Sequence, residues 1–495
     1  MGENRAVPDF TPAQLQTALA VLAEAQHLDE DDEAYIALRR ACGKFYKDVK
    51  KQRRRAKREA IAAADRAVVE ATATGSASRI DDETAGIPLT STAAGASAGT
   101  LLVPRGCYIC KTKYTVVDAF YHQLCPDCAA RSHAKREART DLTGRRALLT
   151  GGRAKIGMYI ALRLLRDGAH TTITTRFPKD AVRRFRQMPD AADWIDRLKI
   201  VGIDLRDPAQ VVALADDVAA AGPLDILINN AAQTVKRTPG AYSAIADAES
   251  VSLESGPSGL AQPELVTFGH TSDLHPSALV GSVEAHPALA GDAATAVELD
   301  AAAAAAEHVV SQALQAGSAD LTRIDAGGLL PDHVSTNSWV QKVGEVDALE
   351  LLEVQLCNQT APFILISRLR PAMAASSARR TYVVNVSAME GQFARQYKGP
   401  GHPHTNMSKA ALNMLTRTSA AEMLESDGIL MTAVDTGWIT DERPHTTKVR
   451  LAEEGFKAPL DLVDGAARVY DPIVRGEAGE DVHGVFLKDY EASPW

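Results

Sequence analysis

The sequence predicts an α/β fold in which strands and helices alternate around a dinucleotide-binding turn, and three observations predict it. First, residues 146–157 read Arg-Ala-Leu-Leu-Thr-Gly-Gly-Arg-Ala-Lys-Ile-Gly, an apolar strand entering a glycine-rich turn that opens an amphipathic helix over 158–166. Second, strand and helix signals alternate through 141–240 and again from 339 to the C-terminus. Third, Leu224-Asp-Ile-Leu-Ile-Asn-Asn-Ala-Ala232 reads as a buried strand ending in small and amide residues. Glycines let backbone approach a pyrophosphate, and a helix start offers unpaired N–H groups and a positive dipole end. A turn of this kind is weak evidence alone, because many tight turns use glycine for backbone reasons only.

Bulk properties narrow the function classes. The chain has 495 residues, 45% hydrophobic and 24% charged, as expected of a globular protein of several domains. A net charge of −9 gives no overall attraction to nucleic acid or anionic membrane. No apolar run approaches the ~20 residues that span a bilayer. The start, Met-Gly-Glu-Asn-Arg-Ala, has neither a signal-peptide core nor the Ser/Thr that follows a myristoylated glycine. Six cysteines are too few for a disulfide scaffold at this length, so a cytoplasmic setting is expected.

Residues 1–75 read as a helical N-terminal region with apolar candidates Leu15, Leu22, Tyr35 and Leu38. Its end is strongly basic, with Lys44, Lys47, Lys50, Lys51, Arg53, Arg54, Arg55, Lys57 and Arg58. Such a run suits either a solvated helix face, the favoured reading, or contact with nucleic acid or an acidic partner. Residues 76–100, rich in Ser, Thr, Ala and Gly, read as a flexible linker.

Residues 101–140 carry four of the cysteines as two Cys-x-x-Cys pairs, Cys107/Cys110 and Cys125/Cys128, with fourteen residues between Cys110 and Cys125. That spacing suits a small module around a tetrahedral structural zinc, each pair forming one knuckle. Two disulfides or a redox pair are the alternatives, which a cytoplasmic setting disfavours. Four thiolates close the site, leaving nearby His122 as a substitute ligand only.

In 141–240, the first half of the nucleotide core, the strand near 171–175 ends in Arg176, where a guanidinium suits the 2′-phosphate of NADP better than the ribose hydroxyl of NAD; an ordinary surface arginine is the alternative. Asp204, after the strand over 198–203, stands where a carboxylate meets an adenine amino group. Residues 241–334 differ in character, with Ser/Gly/Pro-rich stretches and the run Ala301 to Ala306, and read as a low-complexity insertion with at most one helix. The core resumes over 335–495.

Together these motifs resemble the short-chain dehydrogenase/reductase family. The resemblance rests on Thr150-Gly151-Gly152 through Gly157, on Asn229-Asn230-Ala231, and on the 78 positions separating Gly151 from Asn229 (229 minus 151). It covers about half of the chain. It implies a doubly wound parallel sheet (Rossmann fold), hydride transfer to or from a nicotinamide cofactor, and a homo-oligomer. Cofactor contacts are implied for Thr150, Gly151, Gly152, Arg153, Ile156, Gly157, Arg176, Asp204, Asn230, Ala231 and Lys409. Asn358 matches the family's catalytic asparagine and Lys409 its lysine, while Val434-Asp-Thr-Gly437-Trp-Ile439-Thr resembles the segment around the nicotinamide carboxamide. The C-terminal stretch 482–487 would be the last strand. The chain resembles more closely an atypical set within that family, which joins an N-terminal helical part and a Cys-x-x-Cys pair to Gly-Gly-Arg-x-Lys-Ile-Gly and His-Thr-Asn-Met-x-Lys-Ala-Ala.

Three departures stand out. Lys155 replaces the middle glycine of the loop, Thr405 occupies the position of the tyrosine acid/base, and Ala388 falls at the usual serine, one residue after Ser387. Threonine is too weakly acidic for the tyrosine's work near neutral pH. His404, with an ordinary imidazole pKa of about 6.5, is a candidate replacement proton donor, with a helix cap or surface group as the favoured alternative; Tyr397 is a second candidate, and Ser387 can supply an orienting hydroxyl. The expectation is an NADP-dependent oxidoreductase with a non-standard active site and an unknown carbonyl or alcohol substrate. The alternative is a catalytically silent nucleotide-binding scaffold or sensor that uses the zinc module and basic helix as interaction surfaces.

Overall fold

The computed structural model describes residues 10–77, 79, 89–253, 260–268, 325–332, 334–440 and 442–495. The alanine run of the proposed insertion lies outside them. The chain divides into two units: Met1–Val68 with Thr100–Val103, and Val69–Gly99 with Pro104–Trp495.

In the first unit α1 (Pro12–Ala25) starts at Thr11, whose side chain and that of Gln14 satisfy each other's backbone N–H in a capping box. The long α2 (Glu33–Glu70) follows, and its nine basic residues from Lys44 to Arg58 are all exposed. Leu15 and Leu22, offered as core residues by the sequence, are also exposed. Asp65 is buried and accepts N–H bonds from Leu102 (2.6 Å) and Val103 (3.3 Å).

The second unit carries the cysteine module, although Thr100–Val103 of the module's first strand count with the first unit. β1 (Ser97–Gly106) and β2 (Lys113–Asp118) form a two-stranded sheet, and α3 (Pro126–Glu137) follows the second cysteine pair. Then the alternation foreseen from sequence sets in: β3 (Arg146–Leu149), α4 (Lys155–Arg166), β4 (His170–Thr175), α5 (Pro178–Arg186), β5 (Leu198–Gly202), α6 (Pro208–Ala220) and β6 (Ile226–Asn229).

Here the structure corrects the proposed boundary at 241. Residues 243–250 form α7 (Ser243–Ser250), and β7 (Glu264–Thr267) pairs in parallel with β5, extending the sheet. Four exposed or half-buried residues at a sheet edge leave no apolar run for sequence reading to catch.

The second half runs α8 (Ala348–Gln355), a π-turn at Leu356–Thr360, α9 (Ala361–Ala374), β8 (Thr381–Ser387), α10 (Pro403–Asp427), β9 (Ile429–Asp435), α11 (His445–Glu453), α12 (Leu462–Glu477), β10 (Phe486–Lys488) and β11 (Glu491–Ser493). The strand order is β11-β10-β9-β8-β6-β3-β4-β5-β7, parallel except for the β10–β11 hairpin. This is a doubly wound sheet with its topological switch between β3 and β6, where such sheets open a crevice for ligands.

Side-chain alternation fills both faces. Ala147, Leu149, Ile226, Ile228 and Val384 pack toward α4 and α12, whereas Leu148, Leu227 and Val383 pack toward α6 and α9. Each fully buried aliphatic side chain is worth about 1.5–3 kcal/mol, so the sheet is a rigid base for the loops at its C-terminal edge.

Candidate functional site

A cavity of about 430 Å³ opens at the switch point, lined by the glycine loop, the ends of β4, β5 and β6, and Asp325, Gly327 and Leu329. Its floor depends on absent side chains. Gly151 has φ +70°. A Cβ on Gly152 would lie 2.5 Å from Ile173 Cγ2, and one on Gly157 would lie 2.0 Å from the Gly151 carbonyl oxygen. Thr150 Oγ1 accepts from the N–H groups of Asn230 and Ala231, both at 3.0 Å, and Asn230 Nδ2 donates to the Thr150 and Gly151 carbonyls. The loop is thereby tied to the end of β6. Ala154 at the start of α4 brings no capping side chain, which leaves first-turn N–H groups for an anion.

Lys155 does take the glycine-like backbone, with φ +52°, and its Nζ lies 3.1 Å from Asp325 Oδ2. Arg153 pairs with Asp180 and lies over the Phe177 ring. Arg176 lines the cavity with its guanidinium 5.4 Å from the Tyr242 ring centroid and 5.7 Å from that of Phe177. Asp204 is at the cavity too, but both its oxygens face Arg206, whose other nitrogen reaches Glu353 (2.9 Å). Burial pushes the Asp204 carboxyl up, but bonding and attraction from Arg206 outweigh it and hold the pKa below the usual value. Sequence reasoning missed Arg206, two residues beyond Asp204, and the distant partners Glu353 and Asp325.

The remaining candidate residues lie largely on α10 and the π-turn. Asn358 in that turn exchanges two bonds with the Gln233 backbone, accepting at 2.7 Å and donating at 2.9 Å, and lies 3.4 Å from Ser408 Oγ. Lys409 is buried and donates to the Val386 carbonyl at 2.8 Å. Burial lowers its pKa to about 8, against an opposing pull from Cys357 and Glu390. Ser387 gives its hydroxyl proton to Asn413 (2.5 Å). Gly437 has φ +81°, and a Cβ there would lie 2.5 Å from Leu460 Cδ1. Ile439 and Ile156 converge on Gly465, whose missing Cβ would lie 2.3 and 3.2 Å from their Cδ1 atoms.

Helix α10 opens in a strained way. His402 has φ +43°, its ring stacks on Trp339 at 4.1 Å, and the next turn presents His404 and Thr405. Both are buried, yet neither imidazole nitrogen of His404 nor Oγ1 of Thr405 has a hydrogen-bond partner among the described residues. Burial, and then neighbouring His402, lower the His404 pKa. Buried polar groups are seldom left unpaired, so these atoms have hydrogen-bonding capacity to spare for a polar ligand group. Tyr397, the other donor considered, is 74% exposed in the preceding loop.

In the cysteine module all four Sγ atoms lie within 4.8 Å of one another, and those of Cys110 and Cys125 are 3.6 Å apart. Thiolates about 2.3 Å from a shared zinc would stand at such separations. His122 is not among them; its Nδ1 lies 2.8 Å from Thr74 Oγ1.

Comparison with known proteins follows the same outline. A family model described as short chain dehydrogenase matches residues 145–251 and 272–450, more than half of the chain. The uncharacterized protein R665 of Acanthamoeba polyphaga mimivirus is 30% identical over 380 residues, spanning 74% of this chain and 71% of that protein. A probable oxidoreductase of Streptomyces antibioticus is 42% identical over 91 residues, 18% of this chain and 30% of its own length. Among solved structures, a metagenomic short-chain oxidoreductase in complex with NADP superposes with TM-score 0.40 at 16% identity, over 70% of this chain and 96% of that one.

Proposed function

The chain belongs to the short-chain dehydrogenase family, and from that premise we propose that it is an NADP-dependent oxidoreductase acting on a carbonyl or alcohol substrate, with a zinc-held cysteine module. The observation that carries the reading is the switch-point cavity, with its glycine floor, the uncapped start of α4 and Arg176 in its lining. The first-turn N–H groups of α4 and the Lys155 charge would receive the pyrophosphate, Arg176 the 2′-phosphate, and Lys409 the nicotinamide ribose. Bound there, the cofactor would supply or accept a hydride.

The chain's own part is to orient the substrate oxygen and move its proton. His404 is the group assigned to that proton, since burial favours its neutral imidazole and neither ring nitrogen has a partner among the described residues. In alcohol oxidation it takes the hydroxyl proton, and in carbonyl reduction it returns it. Thr405 Oγ1 offers a hydrogen bond to the same oxygen. Ser387 is committed to Asn413 and does not take that role. The four cysteines would hold zinc in a closed site with no open position for chemistry.

Calorimetry with NADPH and NADH, followed by turnover on a carbonyl and alcohol panel, tests the reading. Arg176→Ala should weaken NADPH about ten- to a hundredfold and leave NADH unchanged, the loss expected for a charged hydrogen bond. His404→Ala should keep binding and lose turnover. Tight NADPH binding by the native protein with no hydride transfer to any substrate would favour the silent scaffold instead.

A further inference from the structure

The cysteine module touches one part of the nucleotide core in a concentrated way. Tyr108, between Cys107 and Cys110, accepts the Trp438 N–H at 3.0 Å. Gln123 Nε2, two residues before Cys125, donates to the Lys457 carbonyl at 3.2 Å. Arg79 donates to the Ala458 (2.8 Å) and Leu460 (2.7 Å) carbonyls, and Lys457 returns a bond to the Arg79 carbonyl. Tyr121 donates to the wholly buried Asp464 at 2.6 Å, and Arg136 bonds both oxygens of Asp461. These contacts hold the two ends of the chain that leaves β9 and returns at α12. Between the ends, Glu442 lines the cavity and Ile439 packs beside Ile156 of the glycine loop.

We propose that the cysteine module is a clamp that positions the 437–440 and 442–460 backbone over the dinucleotide site, with Tyr108 as the positioning residue that sets Trp438 and so Ile439. Cofactor affinity is therefore linked to the integrity of the cysteine site, although no cysteine contacts the cofactor. The inference deepens the reading of that cavity as a dinucleotide site and rests on it. Tyr108 suits the task because its ring is half-buried beside Lys111 and Lys488 while its oxygen accepts from the core backbone. Removing that oxygen leaves the four thiols and the whole catalytic helix in place.

The test uses the full-length protein, native and Tyr108→Phe, with NADPH as the probe and hydrogen exchange as an independent readout. Tyr108→Phe should retain the native metal content and melting temperature within a few degrees. It should raise amide exchange in 437–440 and weaken NADPH about three- to tenfold, the range of one neutral hydrogen bond. Gln123→Ala should raise exchange near 457–460 in the same way. Unchanged exchange and unchanged NADPH affinity in Tyr108→Phe overturn the clamp. If the native protein binds no NADPH, the dinucleotide reading fails, and exchange at 437–440 alone decides whether the module holds the segment. Native protein without metal refutes the zinc assignment and leaves the Tyr108→Phe comparison intact.

Discussion

At the scale of single residues, two side chains sit where physical chemistry predicts a cost. Lys155 holds φ +52°, a left-handed conformation that costs a non-glycine residue roughly 1–2 kcal/mol. Its ion pair with Asp325 offsets part of that. Comparing Lys155→Gly with Lys155→Ala isolates the strain, since both lose the ion pair and only glycine relieves the backbone. Chemical denaturation should find the glycine variant more stable by about 1 kcal/mol. Asp435 is the second case. Burial raises its pKa to about 6, and Asp489 and Glu390 push the same way against Lys488 and Arg468. A carboxyl whose folded pKa lies above its unfolded value binds more protons when folded, so stability falls as pH rises from about 4 to about 6. Asp435→Asn should therefore raise the melting temperature at pH 7.5 by an amount corresponding to about 1–3 kcal/mol, and change little at pH 4. Equal gains at both pH values would refute the assignment.

At the scale of elements, the π-turn carrying Asn358 is the feature most exposed to test. Its amide closes two bonds on the Gln233 backbone, joining the helix layer to the loop after β6. Asn358→Ala leaves the partly buried Gln233 N–H and carbonyl without these partners and should cost about 1–3 kcal/mol, read by denaturant titration. Asn358→Asp should cost at least as much, since a carboxylate oxygen would then face the Gln233 carbonyl. Asn358 was legible in sequence because a strong local motif surrounds it, as it does Lys409 and the 151–157 loop. The strands were legible too, because β3, β6, β8 and β9 are buried and rich in branched residues. β7 was not, being short and at an edge. Asp204 shows the limit within the site itself: its position was readable, but its neutralisation by Arg206 depends on side-chain directions that no spacing encodes.

At the scale of the whole second unit, the cysteine module supplies partners to buried carboxylates of the core, beside the core's own Arg475 at Asp471. Arg136 serves Asp461 and Asp464, Lys135 serves Asp471 at 2.5 Å, and Tyr121 serves Asp464, all of them buried carboxylates on or beside α12. Arg139 and the Thr140 N–H hold Asp167, which also accepts from Tyr470 at 2.5 Å. A buried carboxylate stripped of its cation costs about 3–5 kcal/mol, and several would be stripped together. A structural zinc contributes on the order of 10 kcal/mol to a segment too small to fold alone. Loss of the proposed zinc should thus remove support from α12, which packs directly on α4 and the glycine loop's face of the sheet. Calorimetry of Cys110→Ser, or of native protein held with a strong chelator, should show one cooperative transition displaced to markedly lower temperature. A small early transition followed by an unshifted main one would mean the module folds apart from the sheet, and that its ion pairs are dispensable to the core.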